Sequence, residues 1–181
     1  MELIKNLKEL SLAKNLFLAI VGTILLTISA KIKIPFWPVP MTMQTFVVLL
    51  LGVLYGWKLG LFTVSLYLLE GIAGLPVFAG TPEKGVGFIY FTGPTMGYLI
   101  GFLISVSLAG FFTFNNNFAK NFIKLIFSVS FIYILGLIWL GSLIGWDKPI
   151  FSLGAKPFLL AETFKILLLT TLIPKIIKFR I

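Results

Sequence analysis

The chain has no cysteine and no histidine. Thiol nucleophiles, disulfides, haem ligation from the protein and imidazole acid–base catalysis are therefore outside its chemistry. Charge is scarce too: Asp, Glu, Lys and Arg together make up 12% of 181 residues. What fills the space is apolar. The chain is 59% hydrophobic with a mean hydropathy of +1.06, more than a soluble domain of this size can bury. The apolar stretches are continuous rather than alternating, which argues against a membrane β-barrel.

Six bilayer spans of about 20 residues would use roughly 120 residues and leave about 60 for connections. No segment is long enough for a separate soluble domain, so residues 1–181 read as a single all-α integral membrane domain. The tracts predict helices over about 12–30, 42–57, 59–79, 88–113, 122–145 and 157–174. Gly93-Pro94 interrupts the fourth, and Pro157 falls in the first turn of the sixth, where proline is tolerated. The first tract has no small-residue cleavage site and runs directly into Lys31 and Lys33, so it reads as a span rather than a signal peptide. There is no internal repeat or low-complexity linker, and Asn115-Asn116-Asn117 reads as a polar turn.

The net charge of +9 forms no basic stripe, so nucleic acid is not an expected partner. The bases cluster at span ends. With both termini on one face, that face holds Lys5, Lys8, Lys14, Lys58, Lys120, Lys124, Lys175, Lys178 and Arg180, nine in all. The opposite face holds Lys31, Lys33, Lys84, Lys148 and Lys156, five. The excess predicts cytoplasmic termini, and the 31–41, 80–87 and 146–156 connections then face outward.

Charges inside spans cost roughly 2.5 kcal/mol or more on insertion scales and are functional candidates by default. Three occur: Glu70, Glu162 and Lys165. Glu162 and Lys165 are three apart and share a helix face. They read either as a binding site offering one acceptor and one cation, or as an intramembrane ion pair that stabilises the bundle. Glu70 precedes a helix-weakening Gly71, Gly74 and Pro76 and is expected to satisfy freed backbone amides.

The segment KIPFWPVPMTMQTF, residues 33–46, carries three prolines. Prolines at membrane depth leave fewer amides to satisfy and fix a shape. Phe36 and Trp37 then offer flat apolar surface suited to a lid, or to an interfacial aromatic anchor. Gln44 and Thr45 follow on the first turn of the next helix. In GFIYFTGPTMGYLIGF, residues 87–102, Tyr90 and Tyr98 flank the break as candidate ligand contacts, while Gly97 and Gly101 read as helix packing.

These segments resemble a known family. P-F-x-P-V-P-x-T-x-Q-T (35–45), Y-L-L-x-G-x-x-G-L-P-V-F-A-G (67–80) and G-P-T-x-G-Y-L-x-G-F (93–102) are similar to motifs of the BioY family, the biotin-specific substrate-binding (S) components of energy-coupling-factor (ECF) vitamin transporters. The likeness runs over nearly the whole chain. It implies a six-helix S-component fold, a multi-pass protein of the bacterial cell membrane, and biotin held beneath outward loops. It also implies a transmembrane coupling subunit and two ABC-type ATPases as partners. The chain has no G-x-x-x-x-G-K-[ST] loop, so ATP hydrolysis is expected in those separate subunits and no cofactor is expected here. The family's P-F-L-P-G-D-x-x-K reads PFLLAETFK at 157–165, with Glu162 in place of aspartate and Leu160-Ala161 in place of Pro-Gly. A small-residue docking stripe in the first helix maps to Asn15, Ala19 and Gly22.

On this resemblance Glu162 accepts the ureido N–H groups, and Lys165 either donates to the ureido oxygen or neutralises the valerate. Gln44, Thr45, Tyr90 and Tyr98 complete the hydrogen bonds, and Trp37, Phe36 and Phe78 cover the bicycle. Rival readings are an S component for thiamine or riboflavin, a small membrane channel or structural protein, and a membrane enzyme. Thiamine's positive charge argues against a partner such as Lys165, and the chain lacks the side-chain constellation an enzyme needs.

Overall fold

The computed structural model describes residues 2–35, 37–83 and 85–181, with side chains from residue 11 onward. Helix α1 (Glu2–Lys31) carries a long apolar run. The hydroxyls of Thr23, Thr27 and Ser29 turn back on the helix and donate to the carbonyls of Ile20, Thr23 and Leu26, so these three need no partner from lipid. Strands β1 (Lys33–Ile34) and β2 (Met41–Thr42) pair antiparallel with Lys33 opposite Thr42. This two-residue ladder pinches the proline-rich segment into a closed loop.

Helix α2 (Gln44–Ile72) contains one non-helical residue, Gly56, at φ 70° and ψ 177°. The chain doubles back there: a Cβ built on Gly60 would stand 3.7 Å from the Gly52 Cα, a separation a straight helix would not allow over eight residues. The two arms are the second and third expected helices. Only glycine takes this conformation without a steric penalty. The second arm stops at Ile72 rather than near residue 79, because Gly74 adopts φ 96° and Pro76 follows. Backbone carbonyls of Leu69, Gly71 and Glu70 satisfy the amides of Ala73, Gly74 and Leu75. The Glu70 carboxylate does not perform that task, contrary to the sequence expectation.

The expected fourth helix is divided. A 3₁₀ turn covers Gly87–Thr92, Gly93 is extended, and α3 spans Met96–Phe111. Trp139 Nε1 donates to the freed Gly93 carbonyl at 2.9 Å. Helix α4 (Phe118–Ile144) is capped by Asn117, whose side chain accepts from the Lys120 amide. The asparagine run is thus a helix cap. A short helix α5 (Ile150–Gly154) occupies what the sequence offered as a loop. A 3₁₀ turn containing Pro157 leads into α6 (Leu159–Ile176).

The chain is an all-α integral membrane protein of six helical spans: α1, the two arms of α2, α3, α4 and α6. Among the described residues, three helices are long and apolar enough to cross a membrane, Ser11–Lys31, Gln44–Ile72 and Phe118–Ile144. Small residues let the spans approach closely. A Cβ on Gly101 would stand 2.5 Å from the Ile132 Cα, and one on Gly52 would stand 2.7 Å from the Ala109 Cβ. Leu12, Phe17, Ile20, Ile24 and Ile28 remain exposed along α1, as do Ile123, Phe127, Ile134 and Ile138 along α4, as lipid-facing surfaces should.

Candidate binding site

The β1–β2 hairpin, the start of α2, the 77–92 connection, α5 and the first turns of α6 gather at one end of the bundle. Between them lies a cavity lined by Val39, Pro40, Met41, Thr42, Gln44, Thr45, Ala79, Tyr90, Thr95, Tyr98, Leu99, Phe102, Ile132, Tyr133, Phe158, Glu162 and Lys165. It measures about 50 Å³, room for roughly four waters.

Glu162 and Lys165 are both buried, 4% and 9% exposed, and face one another at 3.3 Å. Two charges removed from water are costly unless their remaining bonds are satisfied. Lys165 is satisfied completely. Its Nζ donates to the Thr42 carbonyl at 2.7 Å, Thr45 Oγ1 at 3.0 Å and Glu162 Oε2 at 3.3 Å, which accounts for all its protons. Glu162 is satisfied on one side alone. Its Oε2 also accepts from Thr45 Oγ1 at 2.9 Å and Tyr133 OH at 2.8 Å. Its Oε1 is buried with no partner among the described residues. A buried carboxylate oxygen in that state has lost its hydration and gained nothing in return. It is an open acceptor beside a walled cavity.

The remaining polar groups set the walls. Gln44 Nε2 donates to Tyr67 OH at 2.8 Å, and Tyr67 donates to the Val77 carbonyl at 2.9 Å. Tyr90 OH donates to the Ala79 carbonyl and Tyr98 OH to the Gly154 carbonyl, both at 2.8 Å. Tyr90 and Tyr98 line the cavity while their hydroxyls hold the outer connections in place.

Glu162, Lys165, Gln44, Thr45, Tyr90 and Tyr98 come together at this cavity. Two other expectations differ. Trp37 is 78% exposed and is not among the cavity-lining residues; the wall on that side is built by Val39 and Pro40. Phe78 is fully buried and stacks on Tyr90 with ring centroids 4.8 Å apart, so it anchors its loop from behind the wall rather than covering a ligand. Phe36 lies outside the described residues, as does Lys84. Sequence reasoning missed Tyr133, whose helical position among apolar residues gave no signal, and Thr42, which acts through its main chain. The docking stripe also needs correction. Ala19 is fully buried, and Gly22 packs beneath Thr63, Leu51 and Tyr55, so both seat α1 on α2 instead of facing a partner. Asn15 is half-buried and lines a shallow groove with Leu12, Leu16, Lys58, Leu59 and Phe62.

The BioY family model matches residues 4–180. A probable biotin transporter BioY of Pyrococcus horikoshii is 34% identical over 84% of this chain and 90% of that protein. The biotin transporter BioY of Thermotoga maritima is 34% identical over 84% of this chain and 89% of that protein. Among solved structures, the S-component for biotin from an ECF-type ABC transporter superposes with a TM-score of 0.77 at 28% identity, covering 93% of each chain.

Proposed function

The chain belongs to the BioY family, and from that premise we propose that it is the biotin-binding S component of an ECF-type uptake transporter. The observation that carries this reading is the half-satisfied carboxylate of Glu162: one oxygen holds three donors, the other none. A ureido ring offers N–H donors of the kind Oε1 lacks. Lys165, with every proton committed inside the protein, holds the Glu162 carboxylate in place. It does so without contacting the ureido oxygen, the first of the two roles the sequence left open. Rings of Tyr90, Tyr98, Tyr133 and Phe102 provide apolar surface for a fused bicycle. A site built to donate and accept in this way rejects analogues lacking the matching groups by a large factor.

The cavity of about 50 Å³ is too small for a bicyclic vitamin, so binding includes an outward shift of the wall built by Val39 and Pro40. The carboxylate tail of the ligand extends toward that mouth. In the membrane, both termini are cytoplasmic, following the excess of basic residues on that side, and the protein is a multi-pass component of the bacterial plasma membrane. A coupling subunit and two ABC-type ATPases supply the energy; this subunit captures the ligand and performs no chemistry on it. Mass spectrometry of the small molecule carried through purification of the subunit tests the assignment. Recovery of biotin supports it, and recovery of thiamine or riboflavin replaces it.

A further inference from the structure

Lys31 ends α1 on the cavity side of the bundle. A lysine at the end of a span ordinarily runs its ammonium out to the interface. Here Nζ turns onto one loop, donating to the Phe78 carbonyl at 3.0 Å, the Thr81 carbonyl at 3.1 Å and Thr81 Oγ1 at 3.1 Å. An ammonium has three protons, and each is matched by an acceptor on the same short connection. The Thr81 hydroxyl in turn donates to the Phe78 carbonyl at 2.7 Å, so the loop is folded around the lysine.

That loop carries Ala79, part of the cavity wall. From the inside it is held by Tyr67 on the Val77 carbonyl and Tyr90 on the Ala79 carbonyl. The buried Phe78 ring is wedged between Tyr67 and Tyr90, with centroids 5.2 and 4.8 Å away. Lys31 is its handle from α1. The opposite wall is held very differently. Among the described residues, Trp37, Pro38, Val39 and Pro40 make no hydrogen bond to any other part of the chain.

We propose that Lys31 is a positioning residue for the ligand site: by tying the end of α1 to the Phe78–Thr81 loop it makes that loop the immobile wall of the cavity. A bound ligand is thereby retained against a fixed wall. The proposal rests on the ligand-binding reading above for its second half; the clamping of the loop stands on the geometry alone.

The test compares the purified wild-type subunit with Lys31→Met, which keeps the stem and removes the donors. Lys31→Arg keeps the charge but replaces the compact ammonium by a planar fork. Thr81→Val removes one acceptor from the other side. Hydrogen–deuterium exchange of the 75–83 segment is measured without ligand, and dissociation rates are measured for biotin and for its uncharged carboxamide. Lys31→Met is expected to raise exchange in 75–83 by about tenfold, the scale of losing hydrogen bonds from a charged donor, with α3 and α4 unchanged. Dissociation quickens by about tenfold for acid and carboxamide alike, while association stays within about threefold. Lys31→Arg and Thr81→Val fall between. Unchanged exchange in Lys31→Met overturns the clamp. A defect limited to the acid and restored by arginine also overturns it, because Lys31 would then act by attracting the carboxylate. If the wild type binds neither compound, the ligand assignment falls and the exchange result still decides the clamp.

Discussion

The hydroxyl of Tyr133 donates to the Oε2 of Glu162 at 2.8 Å, joining α4 to α6 at the floor of the cavity. The bond directs Oε2 into the protein and leaves Oε1 as the open acceptor. Removing it with Tyr133→Phe should cost about 1.5 kcal/mol of stability, the scale of a hydrogen bond to a charged group. It should also weaken biotin binding by roughly tenfold, because the carboxylate is then held by two donors instead of three and less firmly oriented. Thermal unfolding in detergent and equilibrium binding check the two parts separately.

Lys165 and Glu162 depend on one another. Lys165→Met leaves a buried carboxylate without its cation, and truncating one partner of a buried pair costs about 3–5 kcal/mol. The double variant Glu162→Gln with Lys165→Met removes both charges and should recover most of that loss while still failing to bind biotin. Melting curves of the wild type, both single variants and the double variant form the cycle. Additive losses would mean that the two residues do not act as a pair.

Gly154 lies directly under the Tyr98 hydroxyl. A Cβ there would stand 2.5 Å from that oxygen and 2.8 Å from methyl groups of Leu137 and Leu140. Gly154→Ala should therefore push Tyr98 off the Gly154 carbonyl and loosen α5, destabilising by about 1–3 kcal/mol as overpacking does. A melting temperature equal to that of the wild type would show that α5 yields without cost.

Trp37 is 78% exposed and stands outside the cavity wall. Trp37→Ala should change biotin affinity by no more than about twofold, the range of an ordinary surface substitution. A large loss would return Trp37 to the ligand and require the cover to close further than it does here.

The spans were legible because continuous apolar tracts dictate them, and the ion pair was legible because a charge inside such a tract stands out. Glu162 and Lys165 line one cavity together with Gln44 and Thr45, the polar residues on the first turn of α2. Trp37 and Phe78 were misplaced because aromatic character alone does not say which way a ring turns. Phe78 is drawn inward by Tyr67 and Tyr90, whereas Trp37 lies on a proline-rich loop and is 78% exposed. Tyr133 was invisible because an aromatic residue inside a span looks like any other core ring until its hydroxyl finds a carboxylate from another helix. The stripe of Ala19 and Gly22 shows the reverse error. Small residues mark close helix approach, and the approach they mark is internal, against α2. The length of the second α2 arm was overread because the tract stays apolar past Gly74, where the backbone has already left the helix.

The proposed function turns on the open oxygen of Glu162 as the ligand's acceptor. Radiolabelled biotin binding to the purified subunit, without coupling subunit or ATPases, tests it most directly when wild type and Glu162→Ala are measured together, each shown to be folded by its melting transition. Saturable binding by the wild type is expected, with a loss of about a hundredfold or more in Glu162→Ala, the scale of removing a buried charged acceptor. Equal binding by a folded Glu162→Ala, or none by the folded wild type, would contradict it.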